Sequence, residues 1–306
     1  MTTALFTHLA ASRHLTAPGH PEQVARHAAV TRALEPLDLM RLEAPMAGDA
    51  EILRCHPQRH LDRIRQSQPE RGYAMLDADT QMSPGSFEAA LRAVGGACAA
   101  VDAVLAGEAA NAFVAMRPPG HHAERETPMG FCLFGNVSIA AKRALDHHGL
   151  SRVAVLDFDV HHGNGTQNLL WDEPRAFFAS SHQMPLYPGS GAPGETGAHG
   201  QIMNMPLQPG SGGVEAAAVW RHILERCRDW APQLVFVSAG FDAHHDDPLA
   251  ELNWSDGDFA DITRMICDMA SDCGAPVVSC LEGGYDLAAL GRSVRAHVEV
   301  LMEAGK

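Results

Sequence analysis

The 306 residues are 46% hydrophobic, enough for one large α/β domain with a sizeable core. Twenty-three Lys and Arg against 37 Asp and Glu give a formal net charge of −14, with no basic cluster to offset it locally, which disfavours a nucleic-acid partner and favours a cationic one. Seven Cys with no CxxC pair and no secretory signal fit reduced thiols in the cytoplasm, and no apolar run is long enough to place the chain in a membrane.

In chain order, residues 3–7 read as a first strand and 13–21 as a loop rich in His, Pro and Gly. A helix is expected over 22–34, a strand over 39–42, and one helix over 50–66 carrying His56 and His60. Residues 68–85 read as a long polar loop. Residues 87–105 are alanine-rich and read as a buried helix packed closely on a neighbour, although Gly95 and Gly96 weaken it. Beyond residue 111 strands and helices alternate. Strands are expected over 112–116, 153–159, 176–180, 201–206, 234–239 and 277–281, and helices over 136–147, 213–230, 256–273 and 287–303. This pattern predicts a single domain over 1–306, three layers deep, with a mostly parallel sheet covered by helices on both faces. The segments RPPGHH, VHHGNG, SSHQ, GFDAHHDD and EGGYD all follow strands, so they converge on one crevice at the carboxyl edge of the sheet.

The chemistry centres on VAVLDFDVHHGNGT, residues 153–166. Asp157, Asp159 and His161 fall at every second position, which on a strand places them on one face, opposite Phe158 and Val160. Two carboxylates and an imidazole at the end of a buried strand call for a divalent cation; solvated acids at a strand end are the rival reading. Asp242, in VSAGFDA, is the best third ligand and would otherwise serve as a helix N-cap. An Asp–His–Asp set leaves an open coordination position, as in catalytic rather than structural zinc sites. His121 and His122 in PPGHHA read as a general base and acid beside such an ion, against a plain loop pair. Asp157 is placed to accept from one of these rings and Asn164 to hold the other. Tyr285, after Gly283 and Gly284, can donate to a developing oxyanion, or pack as a turn tyrosine on the surface. Phe131 can wall a channel for an aliphatic stem, while Cys132 reads as a packing residue.

Six motifs in this order, RPPGHHA, GFCLFGN, LDFDVHHGNGTQ, SSHQMPLYPGSG, SAGFDAHHDDP and LEGGYD, resemble the histone deacetylase family, most closely its class II and bacterial amidohydrolase branch. PGHPE with Arg26, and DTQMSPGSFEAA, fit the same resemblance, which runs from about Thr7 to about Arg295. It implies an arginase-like α/β fold and zinc-dependent hydrolysis of an acylated amine. It makes Asp159, His161 and Asp242 the zinc ligands, His122 the general base and acid, His121 mainly electrostatic, and Tyr285 the oxyanion donor. Gly130 and Phe131 would line the acyl-lysine channel, with His182 at roughly the place of a second wall. A potassium ion is implied near Asp157, Asp159, His161, Ser180 and Ser181. The substrate implied is an acetyl-lysine peptide or an acetylpolyamine, and the branch contains homo-oligomers. Three positions qualify the likeness. Asn164 stands where some members have Asp. Leu249 stands where polyamine-specialised members can carry Glu. Tyr285 is present, where some class II members carry His. The rival readings are a two-manganese ureohydrolase and a silent reader of acylated amines.

Overall fold

Residues 2–306 are described by a computed structural model. The first half of the chain forms β1 (Thr3–Thr7), α1 (Val24–Leu34), β2 (Met40–Glu43), α2 (Asp49–Ile52), α3 (Gln58–Gln66), β3 (Ala74–Met75), β4 (Gln81–Met82), α4 (Ser86–Leu105), β5 (Asn111–Val114) and α5 (Asn136–Asp146). The second half forms β6 (Val153–Asp157), α6 (Asn164–Leu170), β7 (Ala176–Gln183), β8 (Ile202–Leu207), α7 (Gly213–Trp230), β9 (Val235–Ala239), α8 (Asp256–Asp272), β10 (Val277–Leu281) and α9 (Leu287–Ala304).

Eight strands join in one sheet in the order β2-β1-β5-β10-β9-β6-β7-β8, and every pairing in it is parallel. Parallel strands need helical crossovers, and these cover both faces. On one face α1, α9, α8 and α7 pack in series; on the other, α4 packs on α5. The alternation of β6 serves both layers. Ala154 and Leu156 join a core with Trp220, Phe259 and Leu290, whereas Val153 and Val155 join one with Ala97, Ala140 and Val278. The expected three-layer α/β architecture with a parallel sheet is what the chain adopts. No helix among the described residues is long and apolar enough to cross a membrane.

Several local expectations need correction. The single helix over 50–66 is two, α2 and α3, because Pro57 caps the second and cannot continue the first. The loop over 68–85 contains the small antiparallel pair β3–β4. Helix α6 lies where Gly163 and Gly165 point to a turn. Strand β6 stops at Asp157, not at residue 159, and β7 runs on to Gln183. The glycines of α4 have a packing cause: a Cβ on Gly95 would lie 2.0 Å from the Pro45 carbonyl oxygen, and one on Gly96 3.1 Å from Val114 Cγ1. They permit the close approach that the alanine-rich pattern predicts.

Candidate active site

Strands β5, β10, β9 and β6 lie side by side, and the segments leaving their carboxyl ends meet above the sheet. From β6 come Asp157, Asp159 and His161, and from β9 comes Asp242. Although the strand ends at Asp157, the alternation continues: Phe158 and Val160 are fully buried in the core while Asp159 and His161 turn to the crevice. His161 Nδ1 lies 3.1 Å from Asp159 Oδ1 and 3.1 Å from Asp242 Oδ2. One ligand atom from each of the three residues falls within 4.8 Å of the others. Asp242 is no helix cap; its second oxygen accepts from the Val160 N–H at 3.0 Å.

These donors fit a divalent cation. Asp159 and Asp242 are both 0% exposed, and two bare carboxylates so close together and so dry require positive charge between them. Burial works against a charged His161, yet the two carboxylates push its pKa up to about 10. The space for the acids is built into the backbone. A Cβ on Gly283 would come 2.1 Å from Asp242 Oδ2, and one on Gly240 would come 2.0 Å from Asp159 Oδ2. The Gly283 N–H instead donates to Asp159 Oδ2 at 2.8 Å. Two hard oxygens and one imidazole nitrogen suit Zn²⁺ and leave a position open.

The tandem histidines stand beside this trio, their ring centroids 4.0 Å apart. They carry different partners. His121 Nδ1 donates to Asp157 Oδ2 at 3.0 Å, and His122 Nδ1 pairs with Asn164 Oδ1 at 2.7 Å. Asp157 and Asn164 are the two residues that the sequence sets against these rings. Burial disfavours charge on either ring, but the Asp159 and Asp157 carboxylates hold His121 well above its ordinary pKa. Burial, reinforced by the neighbouring His121 and His161, holds His122 well below. The two rings are thus pushed in opposite directions, the separation that assigns acid–base roles.

A cavity of about 240 Å³ opens above, lined by Asp79, His122, Gly130, Phe131, His161, Leu186, Tyr187, Leu249 and Tyr285. Tyr285 is 8% exposed, so it is not a surface turn residue. Its ring meets Phe131 edge-on at 5.8 Å, and the Arg26 guanidinium lies 4.9 Å from its centroid. Arg26 also donates to the carbonyls of Gly284 and Glu282, each at 2.6 Å, pinning that loop. Burial raises the Tyr285 pKa well above its ordinary value, so the hydroxyl stays a donor. Gly130 has φ +55°, and a Cβ there would collide with the His122 ring at 2.4 Å. Cys132 is buried with its thiol on the Gly130 carbonyl.

His182 does not line this cavity. It is buried away from it, with Nδ1 on Ser180 Oγ at 3.0 Å and Nε2 on the Gly191 carbonyl at 3.0 Å. The second aromatic wall belongs to Tyr187, whose ring is 5.2 Å from that of His122. β7 runs through His182, so a side chain there is committed to the sheet, and the following Pro- and Gly-rich segment supplies the aromatic instead. An aromatic residue in a strand-end loop, one of only three Tyr in the chain, is the signal that could have found it. Ser180 pairs with Asp157 across neighbouring strands and shares its face; the Ser181 hydroxyl accepts from Trp220 Nε1 at 3.1 Å, in the opposite layer. Two buried acids lie inside the motifs LEGGYD and SAGFDAHHDDP, yet the sequence reading gives them no role. Glu282 accepts from the N–H groups of Gly120 and His121, which sets the histidine loop. Asp247 Oδ2 accepts from the Tyr285 N–H at 2.6 Å.

Known proteins resemble this chain in sequence and in fold. Residues 20–301 match the histone deacetylase domain. A histone deacetylase-like amidohydrolase of Pseudomonas aeruginosa is 43% identical over 79% of this chain and 65% of its own length. A probable deacetylase of Archaeoglobus fulgidus is 37% identical over 94% of this chain and 82% of its own. The crystal structure of the HDA15 HD domain superposes with a TM-score of 0.94 at 30% identity, covering 99% of this chain and 89% of that one. The chain belongs to the histone deacetylase family.

Proposed function

We propose that this protein is a zinc-dependent deacetylase that removes an acyl group, above all acetyl, from an acylated amine such as acetyl-lysine. The observation that carries the reading is one aromatic-walled cavity lined by His122, His161 and Tyr285, with the buried Asp159 and Asp242 grouped around His161 to complete a two-carboxylate, one-imidazole donor set. Asp159, His161 and Asp242 would hold the ion. When bound, it polarises the acyl carbonyl and eases deprotonation of water. Phe131 and Tyr187 clasp the aliphatic stem of the substrate. His122, neutral and held at Nδ1, takes the proton from the attacking water at Nε2 and returns it to the departing amine nitrogen. Tyr285 donates its hydroxyl to the oxyanion that develops on the carbonyl oxygen. His121, paired with the Asp157 carboxylate, adds charge stabilisation and does not itself move a proton. Asp157 and Ser180 would sit beside a structural potassium ion at the base of the site.

Leu249 in the cavity wall favours acyl-lysine, because no carboxylate stands there to meet a second amine. Asp79 in the same lining favours cationic substrates in general. A two-manganese centre has less support: among the described residues the other His/Asp group that could hold a metal, His244–His245–Asp246, has two members exposed and lies outside the cavity. The test is hydrolysis of an acetyl-lysine peptide and of acetylspermidine, followed by mass spectrometry. The peptide is expected to turn over, with loss of activity on chelation and recovery on adding zinc. Failure of the zinc-loaded protein to cleave any acylated amine would overturn the proposal.

A further inference from the structure

The partner of His122 is an amide, and an amide can turn round. Asn164 presents Oδ1 or Nδ2 to the ring depending on a half-turn of its carboxamide, and the two orientations demand opposite His122 tautomers. With Oδ1 facing the ring, His122 Nδ1 carries the proton and Nε2 is bare towards the cavity. With Nδ2 facing it, Nδ1 must be the acceptor, Nε2 is protonated, and the ring cannot take a proton from water.

The surroundings of Asn164 break this symmetry. Its Nδ2 donates to Glu124 Oε1 at 2.8 Å and lies 3.4 Å from Met129 Sδ. A carboxylate and a thioether are acceptors only, so the amide nitrogen must face them and the oxygen must face His122. Glu124 is itself held. It is half-buried, and its N–H donates to the Thr127 carbonyl at 3.0 Å within the turn that follows the tandem histidines. The next residue ties that turn to α6, the helix that carries Asn164: the Arg125 N–H donates to Asn168 Oδ1 at 3.0 Å.

We propose that Glu124 is a positioning residue for the deacetylation reaction: by accepting from Asn164 Nδ2 it fixes the amide with its oxygen on His122, and so keeps His122 Nε2 bare. This rests on the function proposed above. It assigns to Glu124 no contact with substrate or metal.

The test is a set of variants read by turnover of an acetyl-lysine peptide with zinc-loaded protein. Glu124→Ala is expected to lower kcat roughly tenfold, the usual effect of losing an outer partner of a site residue, with KM changed less than about twofold. Glu124→Gln keeps an acceptor oxygen and is expected to restore most of the rate. The decisive comparison uses Asn164→Asp, which has no amide to turn and sets two carboxylates against each other. In that background Glu124→Ala is expected to raise activity rather than lower it. Equal losses from Glu124→Ala in both backgrounds, or a Gln variant as poor as the Ala variant, would overturn the proposal. Nitrogen-15 spectra of the histidine rings provide a readout that needs no turnover. The parent should show His122 protonated at Nδ1, and Glu124→Ala a mixture of tautomers. An inactive parent with that tautomer shift would sink the function and leave the positioning role standing; an active parent without the shift would do the reverse.

Discussion

Strand β6 buries its first four residues and its last one equally, yet the two ends are held by opposite physics. Val153, Ala154, Val155 and Leu156 are 0% exposed and gain from leaving water. Asp157 is also 0% exposed, as is Asp159 just beyond, and both lose by it unless charge and hydrogen bonds compensate. The compensation comes from outside the strand: His121 on Asp157, the Gly283 N–H on Asp159, and, in the proposed centre, a cation that Asp159, His161 and Asp242 would hold. The apolar end therefore holds the fold together, and the polar end draws on that rigidity to keep its groups in place.

Apolar and polar support can be tested by separate substitutions. The largest effect is expected from Asp242→Ala, which removes a metal ligand: kcat/KM should fall by at least about 10³-fold, while the thermal midpoint of the metal-free protein changes little, because the relief of a buried carboxylate repulsion is offset by the acceptor that His161 and the Val160 N–H lose. Calorimetry on chelated samples beside a peptide assay checks both halves. Next is Phe158→Ala. Its ring packs on Trp220, Phe241, Phe259 and His297 at 5.7–6.2 Å, so truncation should cost about 3–5 kcal/mol in denaturant unfolding. Tyr285→Phe should cost about 10²–10³ in kcat with unfolding unchanged, since the hydroxyl serves the reaction and the ring serves packing.

The smallest effect concerns pH. His297 is 0% exposed between Thr263 Oγ1 and Ser279 Oγ, and burial pushes its pKa down to about 3. The folded form therefore keeps it neutral, whereas the unfolded chain binds a proton below about pH 6.5. Stability is full above that value and falls as the pH drops towards 3, by about 2 kcal/mol near pH 5. His297→Gln, which cannot protonate, should flatten this part of the acid limb in urea titrations.

Alternation of strands and helices makes the parallel sheet legible, because buried parallel strands and their crossovers leave strong periodic patterns. The grouping of Asp159, His161 and Asp242, proposed as metal ligands, is legible because the topology sets the tips of β6 and β9 side by side. What the sequence hides depends on neighbours distant along the chain. Tyr187 reaches the cavity only through the course of a Pro- and Gly-rich segment, so the wall expected at His182 lies five residues further on. Glu282 and Asp247 act on backbone N–H groups, which carry no sequence signature. Helix α6 begins between glycines that ordinarily mark a turn, and its first turn is tied by the Thr166 N–H to the His121 carbonyl at 3.1 Å, a contact that the local pattern does not record.

Anomalous diffraction from a crystal of the zinc-loaded protein, recorded on either side of the zinc edge, addresses the metal centre itself. One peak per chain is expected, enclosed by Asp159, His161 and Asp242. A crevice with no peak among those three side chains, or one with two ions bridged by carboxylates, would contradict the proposed centre.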